Sequence, residues 1–167
     1  MLEAKIEKAL NNQINHEMAS AYNYLAMSSH FEYINLVGMA HWMSLQREEE
    51  LDHAMRLVRY VSDRGGKVEL SAVAKPTNAE GEILDIFENA LEMEVANTKA
   101  INDIYAVAAE AKDYATQSML KWFIDEQVEE EKLLSETVAL VRLAGDDKSA
   151  LLVLNRDLGS RQRQSSE

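Results

Sequence analysis

Apolar residues recur every three or four positions over four long stretches of this chain, and this spacing predicts four amphipathic α-helices. The predicted helices span approximately residues 3–33, 36–64, 82–110 and 113–144. Gly65 and Gly66 end the second helix, and Gly145 ends the fourth. The pattern therefore predicts an all-α protein.

The lengths of the connections predict how these helices are arranged. A few residues join the first helix to the second and the third to the fourth, which favours antiparallel hairpins. Residues 65–82, at about 3.3 Å per extended residue, are long enough to cross a whole helix. The apolar segment 146–158 is marginal as an isolated helix and must pack on another surface, such as copies of itself. We expect a four-helix bundle of two antiparallel hairpins with a long crossover, followed by a short fifth helix.

A single domain is expected to contain most of the chain. The length of 167 residues and the hydrophobic fraction of 47% suit one compact domain with a sizeable core. We assign residues 1–159 to this domain and the polar residues 160–167 to a loose tail.

The composition excludes several classes of protein. There is no Cys, so disulfides, thiolate zinc sites and cysteine-ligated iron–sulfur clusters are excluded. The net charge of −12 argues against nucleic-acid binding and is compatible with attracting cations, although a solvated acidic surface is the simpler explanation. The sequence has no apolar run of transmembrane length and its start lacks the apolar core of a signal peptide. We expect a cytosolic, cytoplasmic protein without a membrane partner.

Acidic residues interrupt all four apolar stripes, each near the middle of its helix. They are Glu17, Glu50, Glu94 and Glu130. His53 lies one turn after Glu50, and Gln127 lies one turn before Glu130. The midpoints of the helices lie at one level in such a bundle, so these side chains should meet in its interior.

Four interior carboxylates require a positive partner. The effective cost of burying one unpaired carboxylate is several kcal/mol, and four would rival or exceed the roughly 5–15 kcal/mol stability of a whole domain. No Lys or Arg lies on these stripes. Protonation would relieve the repulsion, whereas divalent metal would satisfy all four carboxylates at once. Oxygen ligands with one imidazole suit iron or manganese, and bridging carboxylates favour two metals over one.

Further polar residues lie beside these four acids. Glu126 and Glu129 share a helix face with Glu130, and Glu49 adjoins Glu50. These acids form either an auxiliary cation site or an ordinary solvated face. Tyr24 lies two turns after Glu17 and is either a core tyrosine or a donor of a hydrogen bond or an electron to the metal site.

Three sequence segments carry a resemblance to a known family. They are NHEMASAYNYL around Glu17, REEELDH around Glu50 and KWFIDEQVEEEK around Glu130. With them the chain resembles a haem-free prokaryotic ferritin from Ile6 to about Leu158. Ferritin-like di-iron bundles combine one Glu from each of two helices with a Glu-x-x-His from each of the others. Here the fourth helix departs from that pattern, with Gln127 in the Glu place and Glu130 in the His place.

The resemblance implies an iron-storage protein with ferroxidase activity. Such a protein takes up Fe(II), oxidises it with O2 or H2O2, and stores ferric mineral in a shell of twenty-four identical subunits. The first iron would be held by Glu17, Glu50 and His53, with Glu50 bridging. The second would be held by Glu94 and Glu130, with Gln127 close by.

The resemblance also assigns the surrounding residues. A third iron site would be held by Glu130 and the three neighbouring acids Glu49, Glu126 and Glu129. Tyr24 and Trp122 match aromatic residues near the di-iron centre, and the fifth helix matches the one that packs around the four-fold axis.

Departures from related families refine these expectations. Bacterioferritins have a haem-ligating Met next to the bridging Glu, and this chain has Leu51 there, so we expect no haem. Animal ferritins line their three-fold channels with acids, whereas Gln117, Ser118 and Lys121 occupy the corresponding region here, so the sequence does not predict an iron entry route.

Two other functions compete with iron storage. A di-iron or dimanganese oxidase of small molecules would need an open substrate pocket, whereas the stripes are filled with Met and Leu. A helical interaction module would have interior acids that are protonated or that lie outside the core.

Overall fold

The computed structural model describes residues 2–163, and five helices contain most of them. They are α1 (Ala4–Tyr33), α2 (Val37–Asp63), α3 (Ile83–Glu110), α4 (Tyr114–Ala144) and α5 (Lys148–Leu158). Helix α1 packs along α2, α3 packs along α4, and α1 also contacts α3. The predicted all-α bundle with a short fifth helix is confirmed, and each end of the four long helices lies within one residue of its predicted position. Residues 164–167 of the predicted tail lie outside the described residues.

The crossover between α2 and α3 is fastened to the side of α1 by two asparagines. Asn11 donates to the carbonyl of Lys67 and accepts from the backbone N–H of Glu69, at 2.9 and 2.7 Å. Asn15 makes the corresponding pair of bonds to Glu69 and Ser71, at 2.9 and 2.7 Å. These amides supply the backbone partners that an extended segment otherwise lacks.

Helix α5 is held against the start of α2 and also contacts α4. The turn that leads into it uses Gly145, whose φ of 51° favours glycine. A Cβ at Gly38 would lie 1.7 Å from the carbonyl oxygen of Asn155, so only glycine allows this approach. The Asn155 side chain accepts a hydrogen bond of 3.0 Å from the backbone N–H of Met39. This docking determines where the chain after α5 emerges.

A layer of polar side chains divides the apolar core into two clusters. One cluster contains Tyr24, Phe31, Trp42, Phe87 and Leu134 among others. The other contains Ile6, Leu10, Leu57, Ile101 and Phe123 among others. The acids predicted to meet inside the bundle belong to the layer between them. In the described part of the chain, no helix is long and apolar enough to cross a membrane.

Candidate metal centre

Glu17, Glu50 and His53 form a buried cluster between α1 and α2. Their exposed fractions are 0, 1 and 4%. Each offers one ligand atom, and these atoms all lie within 4.8 Å of one another. One cation can contact all three, because such ligands bind metals at about 2.0–2.2 Å.

Two atoms of this cluster have no hydrogen-bond partner. Glu50 Oε2 and His53 Nδ1 are both buried and unpartnered, and they lie 3.9 Å apart. Buried polar atoms almost always have a partner, so such a pair requires an explanation. A carboxylate oxygen and an imidazole nitrogen facing the same point fit a metal of the iron or manganese type.

Glu94 on α3 and Glu130 on α4 extend the acidic cluster across the bundle. Their exposed fractions are 1 and 7%. Burial, followed by the negative charges of Glu94 and Glu17, raises the pKa of Glu50 well above its usual range. Burial, with the charges of Glu94 and Glu49, raises the pKa of Glu130 to about 8. The carboxylates therefore interact strongly and need protons or cations between them.

Two buried amides hold the carboxylate of Glu17. Gln13 donates to Glu17 Oε1 at 2.8 Å, and Asn97 donates to Glu17 Oε2 at 3.2 Å. The two amides are also bonded to each other, since Gln13 Nε2 lies 2.5 Å from Asn97 Oδ1. Sequence reasoning gave neither residue a role, although both are polar positions on apolar stripes and this signal had identified the acids.

Tyr24 and Gln127 both donate hydrogen bonds to Glu94. The Tyr24 hydroxyl lies 2.6 Å from Glu94 Oε1, and Gln127 Nε2 lies 3.2 Å from Glu94 Oε2. Burial, together with the charges of Glu94 and Glu50, raises the pKa of Tyr24, so the phenol keeps its proton and remains a donor. Gln127 Oε1 is buried without a hydrogen-bond partner, which leaves a further oxygen available beside Glu94.

A cavity of about 320 Å³ opens beside the cluster and is lined mainly by acids. Its lining includes His53, Glu49, Glu126, Glu129 and Glu130, together with Arg161. Glu49 and Glu126 are partly buried, Glu129 is exposed, and burial raises the pKa of the first two. The structure thus brings together the residues that the sequence proposed for an auxiliary cation site. We call this space the acid cavity.

Trp122 forms part of the wall next to His53. The two rings meet edge to face with centroids 5.4 Å apart. The guanidinium of Arg56 lies over the indole ring, 3.9 Å from its centroid. Trp122 therefore packs against a candidate ligand and limits the rotation of the imidazole.

Gln46 and Arg161 are polar contacts of the site that sequence reasoning missed. Gln46 Nε2 donates to Glu130 Oε2 at 2.8 Å. Arg161 donates to Gln46 Oε1 and to both carboxylate oxygens of Glu49, the latter at 3.1 and 3.0 Å. Gln46 lies on an apolar stripe and was detectable in the same way as the acids. Arg161 lies in the segment assigned to the polar tail, where the sequence gives no such signal.

Comparison with known proteins gives consistent matches. A family model described as the ferritin-like domain matches residues 7–144. The bacterial non-heme ferritin of Staphylococcus aureus strain USA300 is 36% identical over 161 residues, which cover 96% of this chain and 97% of that protein.

Solved structures agree with these sequence matches. An open pore ferritin from the hyperthermophilic archaeon Archaeoglobus fulgidus is 45% identical with a TM-score of 0.95, covering 97% of this chain and 100% of that one. A humanized archaeal ferritin is 43% identical with a TM-score of 0.96, covering 99% of this chain and 100% of that one.

Proposed function

The chain belongs to the ferritin-like family, and on this premise we propose that it is an iron-storage ferritin with ferroxidase activity. It takes up Fe(II), oxidises it at the buried carboxylate centre and keeps ferric mineral inside a shell of identical subunits. The observation that carries this proposal is the unpartnered pair of Glu50 Oε2 and His53 Nδ1 beside Glu17. The similarity to a bacterial non-heme ferritin supports iron as the metal and argues against haem.

The proposed centre holds two irons. Glu17, Glu50 and His53 bind the first, and Glu94 and Glu130 bind the second. Support for Glu50 as the bridge comes from its position between the two groups of ligands. Burial is the main cause that raises its pKa, and the charges of both Glu94 and Glu17 lie close enough to add to the shift. Gln127 lies close to the second iron, and its Oε1 atom is free to act as a ligand.

Reduction of O2 or H2O2 at this centre requires two electrons, which two irons supply together. Each Fe(II) gives up one electron, and O2 with two protons becomes H2O2, or H2O2 with two protons becomes two waters. The surrounding carboxylates favour Fe(III) over Fe(II) because they stabilise the higher charge. Tyr24 orients Glu94 through their hydrogen bond of 2.6 Å.

The acid cavity supports a cation as the substrate rather than an organic molecule. Glu49, Glu126 and Glu129, with Glu130, are proposed as a third iron site. Six acidic side chains line this cavity, namely Glu49, Asp52, Glu126, Glu129, Glu130 and Glu136. An oxidase of small organic molecules would instead need a mostly apolar pocket beside the metals.

Assembly into a homo-oligomer, with twenty-four subunits as the expected number, is part of the proposal. Large apolar side chains on α4 and α5 support it, since Leu143, Leu152 and Val153 are 84, 63 and 51% exposed in the single chain. Size-exclusion chromatography distinguishes a shell of hundreds of kilodaltons from a monomer of 18.9 kDa or a dimer. The cytosolic location expected from the sequence stays a prediction.

Anaerobic Fe(II) titration followed by an oxygen pulse tests the ferroxidase activity directly. It gives the number of irons bound per subunit and the rate of the fast oxidation phase. His53→Ala or Glu17→Ala should abolish this phase while leaving the shell assembled. His30→Ala is the matched control, because His30 lies on α1 about 20 Å along the helix from Glu17. An unchanged fast phase in His53→Ala would refute the assignment of the centre.

A further inference from the structure

The segment after α5 turns back onto α2 and inserts the guanidinium of Arg161 into the acid cavity. Arg161 Nη2 donates to both oxygens of Glu49, and Nη1 donates to Gln46. The Arg161 carbonyl lies 3.1 Å from His41 Nε2, and the guanidinium lies 5.1 Å from the centroid of the Trp42 ring. Only 15% of the Arg161 side chain and 13% of the Glu49 side chain are exposed. This is a docked contact on several partners rather than a loose surface ion pair.

We propose that the Arg161 side chain competes with cations for the carboxylate of Glu49. The guanidinium neutralises this carboxylate, and it has to leave before a cation binds there. This inference rests on the proposed role of the acid cavity as a cation site and adds a residue that regulates it. A guanidinium cannot yield its place by losing a proton, so competition requires that the side chain moves. A divalent cation next to an Arg161 that stayed in place would be repelled by its charge.

The docking of α5 on α2 keeps Arg161 close to Glu49, so the competition is intramolecular. Asn155 and Gly38 fix the end of α5 on α2, only a few residues before Arg161. Beyond it, Arg163 pairs with Asp52 at the rim of the cavity. A tethered group has a high effective concentration at its site, so Arg161 returns whenever the cation leaves.

A second contact connects Arg161 to the buried centre. Its bond to Gln46 Oε1 fixes which end of that amide faces inward, and Gln46 Nε2 then donates to Glu130 Oε2 at 2.8 Å. Glu130 lines the acid cavity and also belongs to the buried cluster of acids. Departure of Arg161 therefore frees Gln46 to rotate, and Glu130 can then lose the hydrogen bond that Gln46 donates. A cation that displaces Arg161 from Glu49 thereby changes the hydrogen bonding of Glu130 in the buried centre.

Binding of Mn²⁺ to the assembled full-length protein tests the competition. Mn²⁺ suits oxygen ligands, and its unbound form is counted by its EPR signal. Arg161→Ala should tighten one Mn²⁺ site per subunit by about tenfold, the effect of removing a competing charged hydrogen bond. Arg161→Lys should lie between Arg161→Ala and the unchanged protein, because it keeps the charge and loses the two-pronged contact with Glu49.

Two further variants separate competition at Glu49 from a general change of charge. Arg156→Ala removes the same charge from α5, where the side chain is 80% exposed and pairs with Asp157, and it should leave Mn²⁺ affinity unchanged. In a Glu49→Gln background, Arg161→Ala should give a much smaller gain, since the contested carboxylate is gone and only the contact through Gln46 remains.

Three results would overturn the competition. They are unchanged or weaker Mn²⁺ binding in Arg161→Ala, an equal gain in Arg156→Ala, and an undiminished gain in the Glu49→Gln background. None of these measurements depends on iron oxidation. Failure of the proposed ferroxidase function would appear instead as the absence of a fast oxidation phase in the protein without substitutions.

Discussion

The Tyr24 hydroxyl donates a hydrogen bond of 2.6 Å to Glu94 Oε1 in the interior of the bundle. Tyr24 is on α1 and Glu94 is on α3, so this bond joins the two hairpins at the level of the candidate metal centre. It fixes one oxygen of Glu94, while Gln127 holds the other. These two bonds position the Glu94 carboxylate in the metal-free protein.

Tyr24→Phe should impair both the stability and the chemistry of the centre. The lost bond to a buried carboxylate should lower the stability of the metal-free protein by about 1–3 kcal/mol. A less ordered Glu94 should slow the fast oxidation phase by roughly tenfold without abolishing it. Thermal unfolding and stopped-flow oxidation measure the two effects. Tyr33→Phe is the control, because that side chain is 84% exposed, and equal behaviour of the two variants would contradict the role of the bond.

The raised pKa of Glu130 predicts how the stability of the metal-free protein depends on pH. Its pKa is 4.5 ordinarily and about 8 in the folded protein, with burial as the first cause. Between these values the folded state holds a proton that the unfolded state has lost, so stability falls as pH rises. The contribution is fully present below pH 4.5 and is lost as pH rises through about 8.

Glu130→Gln isolates this contribution, because its side chain stays neutral over the whole range. Melting temperatures measured with a chelator should fall less steeply with pH in Glu130→Gln than in the unchanged protein. Expressed as free energy of unfolding, the two proteins should differ in their pH dependence by a few kcal/mol, since one pKa unit corresponds to about 1.4 kcal/mol. Glu92→Gln, at an exposed position on α3, should keep the original slope. Parallel curves for Glu130→Gln and the unchanged protein would show that this proton does not contribute.

The sequence was sufficient to predict the helices because the residues that recur every three or four positions form the buried face of each helix. The residues at this three- or four-residue spacing run from Ile6 to Phe31 on α1, from Met39 to Val61 on α2 and from Thr116 to Val141 on α4, and all of them are buried. On α3 only Ile83 is partly exposed. The interior acids were detectable for the same reason, since a charge at a core position stands out against its apolar neighbours. Their proposed roles as metal ligands stay predictions.

Contacts that depend on tertiary packing could not be predicted from the spacing. Gln13 and Asn97 were visible as polar core positions, but their bonds to Glu17 depend on how α1 and α3 meet. Arg161 contacts Glu49 across 112 residues of sequence, through the docking of α5 at Gly38. A periodic pattern describes one helix at a time and carries no information about such an approach.

Asp113 joins the start of α4 to the end of α2, away from the metal centre. We expect its loss to lower the stability of the protein. It accepts from the backbone N–H of Thr116 at 3.1 Å and from Arg64 at 2.8 and 3.0 Å. The Arg64 guanidinium, as the main cause, lowers the pKa of Asp113 to about 2. Stability from this carboxylate is therefore present above its ordinary pKa of 3.8 and is lost as pH falls through about 2.

Asp113→Ala should lower the stability of the metal-free protein by about 1–2 kcal/mol, the usual value of a helix cap. Asp113→Asn keeps an acceptor for the Thr116 N–H and should lose less. Thermal unfolding at neutral pH measures both variants, and the fast oxidation phase should be unchanged in each. Equal losses in the two variants would mean that the charge on Arg64, and not the cap, is the important partner.

Gln127→Glu should shift the balance between the metal-free and metal-bound states. Gln127 Nε2 donates to Glu94 Oε2 at 3.2 Å, and a carboxylate in its place would set one acceptor against another. The metal-free protein should therefore be less stable, by about 1–3 kcal/mol for the lost donor. With metal present, the added negative charge lies beside the cation and should strengthen its binding.

The rise in melting temperature on adding Mn²⁺ measures this balance, because a ligand that binds only the folded state raises stability with the logarithm of its affinity at a fixed concentration. This rise should be larger in Gln127→Glu than in the unchanged protein, while the melting temperature with a chelator should be lower. Asn12→Asp adds the same charge at an exposed position on α1 and should change neither value appreciably. A rise no larger in Gln127→Glu than in Asn12→Asp would mean that Gln127 does not face the metal, and that its unpartnered Oε1 has another role.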